Sequence, residues 1–224
     1  MRNLLFDGPG SLSILAIGAH ADDIEIGCGA TLVRLLRDNP SCSVHWVVVS
    51  ALGAREEEAH RSACCYLEGH PDSRVTLLKH RDGFFPYEGY AIKERFEALK
   101  SEVKPDVVFT HHRDDRHQDH RLVSDLTWNS FRDALIFEYE VAKWDGDLVT
   151  PNTYVDADRA DADAKVERLN RFFPSQRSRD WFTDDAFLAL MRLRGVESRA
   201  PSGLAEGFHA RKLMLNPITG AGLE

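Results

Sequence analysis

The chain has 224 residues, 43% hydrophobic and 29% charged, with a net charge of −8. That length suits one domain with a sizeable core. The acidic balance excludes a non-specific nucleic-acid binder, which carries a basic excess, and no apolar run reaches the ~18 residues of a membrane span. The four cysteines, Cys28, Cys42, Cys64 and Cys65, form no CxxC pair. We read them as reduced, mostly buried small hydrophobes of a cytoplasmic protein.

Taken in chain order, short apolar runs alternate with helical patterns. SILAIG (13–18), SVHWVVVS (43–50), RVTLL (74–78), DVVFTH (106–111) and ALIFEYEV (134–141) are rich in Val, Ile and aromatic residues. They suit strands buried on both faces, as a parallel sheet requires. Between them, stretches 29–38, 55–69, 89–103 and 117–133 show helical spacing, with Gly69 and Pro105 as punctuation. The alternation predicts an α/β fold: a Rossmann-like, doubly wound, mostly parallel sheet in three α/β/α layers. After about residue 145 the pattern weakens. WDGDLVTPN reads as a loop, 156–173 as a helix entered through acidic residues, and 183–195 as a helix capped by Thr183 and stopped by Gly195. GFHARKLML (207–215) reads as a late strand. We read 1–224 as a single domain, with the part from about 145 completing the pocket.

Ligands of open α/β sheets bind at the carboxyl ends of the strands. Both unusual polar clusters fall there: His20-Ala21-Asp22-Asp23 after the first strand, and HHRDDRHQDHR (111–121) after the fourth. These two strands are neighbours across the switch point of the usual doubly wound order, so the clusters are predicted to face one crevice. His20 and Asp23 are three apart, as are His117 and His120. His20, Asp23 and one of His117 or His120 make a three-ligand site with an open position. Asp22 is then free to move a proton, the spare histidine to stabilise an oxyanion in its protonated form, and Asp119 to orient that histidine and raise its pKa. These parts suit metal-assisted hydrolysis of an acyl bond.

The residues resemble the PIG-L/LmbE family of zinc-dependent N-acetylglucosaminyl deacetylases. The family motif A-H-P-D-D is matched by Ala19-His20-Ala21-Asp22-Asp23, with Ala21 in place of the usual proline, and H-x-D-H by His117-Gln118-Asp119-His120. The resemblance implies His20, Asp23 and His120 as ligands of one Zn2+, with Fe2+ as an alternative occupant of the same donors. It implies Asp22 as general base and His117 as the group that polarises the carbonyl. Arg55 with Glu57 and Glu58 resembles the family's R-x-E-E/A. Val155-Asp156, Lys165 and Ser175-Gln176 resemble its V-D…K…S-Q region, and Glu206 and Phe208 its late A-E-x-F.

The expected activity is removal of an N-acetyl group from an amino sugar or small glycoconjugate. Arg55, Asp115 and His209 are candidate substrate-binding residues, Asp115 also suiting support of a metal ligand. Gly27-Cys28-Gly29, at a helix start, reads as a packing and turn device rather than an anion site. A homo-oligomer is compatible with the resemblance. The competing expectation is a receiver-like, Mg2+-binding signalling module with an acidic pair after its first strand. It leaves His20, His117 and His120 without a role, and imidazole suits zinc better than magnesium.

Overall fold

The structure, a computed structural model, describes residues 11–214. Five parallel strands form the body of one sheet: β1 (Ser13–His20), β2 (Ser43–Ser50), β3 (Arg74–Leu77), β4 (Val107–His111) and β5 (Leu135–Tyr139). Two more, β6 (Thr153–Asp156) and β7 (Ala205–His209), extend it in antiparallel sense. The order is β3-β2-β1-β4-β5-β7-β6. β1 thus lies between β2 and β4, as the doubly wound reading expects. A receiver of the flavodoxin-like kind places β3 beside β1 instead, so the topology overturns that alternative.

Alternation along the strands divides the core into two layers. Ile14, Ala16, Trp46, Val48 and Phe109 face one side with α1 (Asp23–Asp38), α2 (Ala54–Tyr66) and α5 (Arg159–Phe172). Leu15, Ile17, Val47, Val49 and Val108 face the other with α3 (Gly89–Glu102) and α4 (Gln118–Ser130). Helix α6 (Asp184–Ser198) packs through Met191 against Ala30, Ala157 and Ala162. These residues alternate between almost wholly buried faces, which is why the strands read as continuous apolar runs. Among the described residues no helix is long and apolar enough to cross a membrane.

Several expectations need correction. Helix α1 starts at Asp23 rather than at Gly29, although Cys28 (φ −144°, ψ 21°) breaks it into two segments. Residues 153–155 carry no predicted element and Asp156 is expected to enter a helix, yet 153–156 form a strand. Four half-buried residues carry little signal of their own, and the pairing with β7 decides their state. Thr183 does cap α6, accepting from the Ala186 N–H, but Gly195 does not stop it. The helix runs to Ser198 and closes on Arg199 in the left-handed region (φ 56°). Gly195 is needed for a different reason: a Cβ there would lie 2.2 Å from the Gly203 carbonyl oxygen. Of the cysteines, Cys28 and Cys42 are buried, whereas Cys64 is exposed and Cys65 half-buried. Residue 215 of the expected late strand lies outside the described residues, and the strand itself is Ala205–His209.

Candidate active site

Parallel pairing of β1 with β4 (Ile14 with Val107 through Ala16 with Phe109) brings His20 and the 111–120 segment to the same end of the sheet. There three donor atoms converge. His20 Nδ1 is 3.2 Å from His120 Nε2 and 3.3 Å from Asp23 Oδ2, and the latter two are 3.5 Å apart. Zinc bound tetrahedrally at about 2.0–2.1 Å to nitrogen and oxygen needs ligand atoms about 3.3 Å from one another, so the donor set and its spacing fit a small divalent cation. Asp23 is itself oriented by the His20 N–H, which donates to Oδ2 at 2.6 Å.

Three overlapping groups of potential ligands exist here: His20, His117 and His120; Asp23, His111 and His120; His20, Asp82 and Asp119. Hydrogen bonds discriminate among them. His120 has its far nitrogen, Nδ1, on Asp115 Oδ2 at 2.9 Å, which leaves Nε2 for a ligand role. His20 has its far nitrogen, Nε2, beside Asp119 Oδ2 (3.4 Å) and Asp82 Oδ1 (3.1 Å). A carboxylate behind a metal-binding imidazole is the usual support for such a ligand. His117 differs: its Nδ1 accepts the Asp119 N–H as the N-cap of α4, so the hydrogen of the neutral ring sits on Nε2 and the side chain is a donor. His111, wholly buried, accepts the Ala19 N–H on Nε2 at 2.9 Å while that atom lies 3.2 Å from Asp23 Oδ2. Its ring stacks on His120 at 3.9 Å.

The surroundings favour positive charge at His20 and neutrality at His120. Burial opposes charge on His20, yet Asp23 and hydrogen bonds to Asp119, Asp23 and Asp82 hold its pKa well above the ordinary value. Against burial, His120, His111 and His20 hold Asp23 well below the usual carboxylate range. Burial and the neighbouring His111 push His120 down to about 3, so this ring is neutral, as a ligand must be.

Asp22 stands next to this triad. It occupies the N-cap position of α1 but makes no side-chain cap bond. Its Oδ1 accepts from Arg55 at 2.5 Å, and its Oδ2 is buried with no hydrogen-bond partner. Burial raises its pKa, with Arg55 opposing. Arg55 therefore does not choose the helix-surface pairing over the site: its contact to Glu58 is longer, 3.9 Å.

Asp119 sits differently from the expectation. Its wholly buried carboxylate does not orient His117; it accepts the Gly83 N–H (2.6 Å) and the Phe85 N–H (3.1 Å) and lies beside His20. Nor is His117 raised in pKa: burial and His20 lower it, so it acts as a neutral ring. Asp115 lies behind His120 and also accepts the His117 N–H at 2.7 Å and Lys143 Nζ at 3.0 Å. His209 stays outside the triad. It makes an edge contact with His112 at 3.9 Å, and the two line a small cavity with Asp115, Glu140 and Asp147. Sequence reading missed the placement of His111 and Asp82.

The late motifs build the support. Where Cys28 breaks α1, Lys165 Nζ bonds the freed Ile26 carbonyl at 2.7 Å, and Glu206 accepts the Ala30 and Thr31 N–H groups at 3.1 and 2.7 Å. Lys165 and Glu206 also pair at 2.6 Å. The two amides just past the Gly27-Cys28-Gly29 turn thus hold the protein's own Glu206 carboxylate. The Gly27-Cys28-Gly29 turn itself is the packing device expected, since a Cβ on Gly27 would fall 2.1 Å from the Tyr139 ring. Glu58 accepts Ser175 N–H and Oγ at 2.9 and 2.6 Å, tying α2 to the turn after α5.

Comparison with known proteins bears on the family and the fold. The chain is 34% identical over 119 residues to the uncharacterized deacetylase YaiS of Escherichia coli K12, a stretch spanning 49% of this chain and 63% of that protein. Its fold resembles N,N'-diacetylchitobiose deacetylase from Pyrococcus horikoshii (TM-score 0.69, 22% identity, 93% of this chain and 88% of that one). It also resembles GalB, the 4-carboxy-2-hydroxymuconate hydratase of Pseudomonas putida KT2440 (TM-score 0.70, 15% identity, 92% and 98%), so the fold alone does not select a reaction. The profile of the family described as PIG-L, GlcNAc-PI de-N-acetylase, matches residues 15–131, just over half of the 224. The chain belongs to the PIG-L family of de-N-acetylases.

Proposed function

We propose that this protein is a metal-dependent hydrolase that converts an N-acetylated amino sugar or small glycoconjugate to the free amine and acetate. The observation that carries the reading is Asp22: a buried carboxylate with one oxygen held by Arg55 and the other unpartnered, adjacent in the chain to Asp23, whose carboxylate meets His20 and His120. Those three residues would hold one divalent ion, and two imidazoles with a carboxylate suit Zn2+, with Fe2+ able to use the same donors. When bound, the ion supplies Lewis acidity at neutral pH.

The chain's own residues account for the proton movements. Asp22 Oδ2 takes a proton from the water that adds to the acyl carbon. It returns that proton to the nitrogen as the C–N bond breaks. His117, its Nδ1 engaged by the Asp119 N–H, offers Nε2–H to the carbonyl oxygen as negative charge gathers there. Arg55 fixes the orientation of Asp22, and Asp115 that of His120. The test is acetate release from a panel of N-acetyl sugars, with and without chelator. We expect release that stops on chelation and returns with added Zn2+; chelator-insensitive release, or none from any member, overturns the reading.

A further inference from the structure

Lys143, just past β5, belongs to none of the motifs picked out in the sequence, yet its side chain is only 9% exposed. A lysine so withdrawn from water is rare unless its charge is paired. Its Nζ meets Asp147 Oδ2 at 2.7 Å and Asp115 Oδ1 at 3.0 Å, with Asp145 Oδ2 farther off at 3.7 Å. Asp147 Oδ2 also accepts the Arg116 N–H at 2.7 Å. The turn at 143–147 and the loop leading into α4 thus share one ionic junction. That junction sets the direction of the Asp115 carboxylate. Oδ1 takes two donors, Lys143 Nζ and the His117 N–H at 2.7 Å. Oδ2 is left to His120 Nδ1 at 2.9 Å, and the opposite nitrogen of that ring is one of the three converging donors. The terminal torsion of an aspartate is broad, so its direction has to come from its partners. Without Lys143 a single backbone N–H would hold Oδ1.

We propose that Lys143 is a positioning residue for His120: through Asp115 it fixes the imidazole and so tightens the hold of the site on its divalent ion. This rests on the metal-dependent reading above. The lysine has two effects of opposite sign. Its charge repels a second cation, whereas its grip on Asp115 favours one. Asp147 offsets the charge at 2.7 Å, and the Asp115 carboxylate and the His120 ring stand between Nζ and the donors. Repulsion is therefore weakened while the hydrogen-bonded path stays short and buried, and positioning wins. The sign of the change in metal affinity on removing the lysine decides between the two.

The experiment measures zinc affinity of the full chain, stripped of metal, by competition with a fluorescent chelator. Lys143→Met keeps the length of the side chain without the ammonium, and zinc should bind about tenfold more weakly, the low end of the loss when the support of a ligand is removed. Lys143→Arg, which keeps a charged donor, should recover most of that loss. In an Asp115→Asn background Lys143→Met should add nothing, because the lysine acts through that carboxylate. Circular dichroism establishes that each variant is folded; where Lys143→Met is not, Lys143→Gln replaces it with the same expectations, and loss of the fold in both makes the lysine a structural tether and overturns the proposal. Tighter or unchanged binding in Lys143→Met also overturns it, as does an equal loss in Lys143→Arg or a loss that adds in full to that of Asp115→Asn. A wild type that binds no zinc sinks the metal-dependent reading itself, whereas wild-type binding that ignores Lys143 leaves that reading standing.

Discussion

Arg55 holds one oxygen of the buried Asp22 carboxylate at 2.5 Å and leaves the other without a partner. The pair thus fixes the direction of the carboxylate without occupying the atom that would do chemistry. Asp22→Asn keeps the shape and the arginine contact but cannot take a proton. It should lower turnover by about 10²–10⁴ while retaining metal at one per chain. Steady-state acetate release with metal analysis checks both halves, and full activity would remove Asp22 from the mechanism.

The roles of His120 and Asp115 separate in the same assay. His120→Ala removes a donor, and the purified protein should no longer retain stoichiometric zinc. Asp115→Asn leaves all three donors in place but loosens the grip on His120 Nδ1. Zinc affinity, read by competition with a fluorescent chelator, should fall by about 10–100-fold, with activity restored at saturating metal. Equal affinity in Asp115→Asn and wild type would contradict this.

Glu206 is predicted to matter for stability out of proportion to its distance from the chemistry. Glu206→Gln leaves Lys165, 4% exposed at its side chain, without a counter-charge. Breaking such a buried pair costs about 3–5 kcal/mol. The double variant Lys165→Met with Glu206→Gln should recover part of that loss in urea denaturation. Additive losses would show that the two residues act independently.

His45 makes the fold sensitive to mild acid. Its ring is buried, one nitrogen pairs with Thr76 Oγ1 at 2.8 Å, and burial with the nearby Arg74 holds its pKa down to about 4. Between the ordinary value near 6.5 and 4, the unfolded chain binds a proton that the native protein refuses, so stability rises with pH in that window. The contribution is complete above about pH 6.5 and is lost as pH falls toward 4. His45→Gln should flatten the curve: wild type should lose about 1–2 kcal/mol more than the variant between pH 7.5 and 5. Parallel urea curves for the two proteins would exclude His45 as the source.

What could be read from the sequence was local or repetitive. The buried runs of β1, β2 and β4 announced a parallel sheet because both faces are apolar. The His20 to Asp23 cluster was legible because its members are adjacent. Asp82 lacked any spacing signal; only the return of the 83–85 backbone onto Asp119 brings it to His20. Of the neighbours His111 and His112, strand register alone decides which enters the crevice, and it chose His111. Asp119 looked like a partner for His117 because the two are close in sequence, whereas its carboxylate is claimed by distant amides. Lys165 and Glu206 matched a family pattern, but their purpose appears only once the break at Cys28 is seen.

The junction of Lys165 and Glu206 with the broken helix also has a temporal meaning. During synthesis, His20, Asp23 and His120 emerge from the ribosome long before position 206. Until then the amides of Ala30 and Thr31 lack their carboxylate, and the turn that aims Asp22 and Asp23 is not yet braced. Assembly of a rigid crevice around His20, Asp23 and His120 therefore waits for β7, and a nascent chain stalled upstream of it would display these side chains without holding them in place.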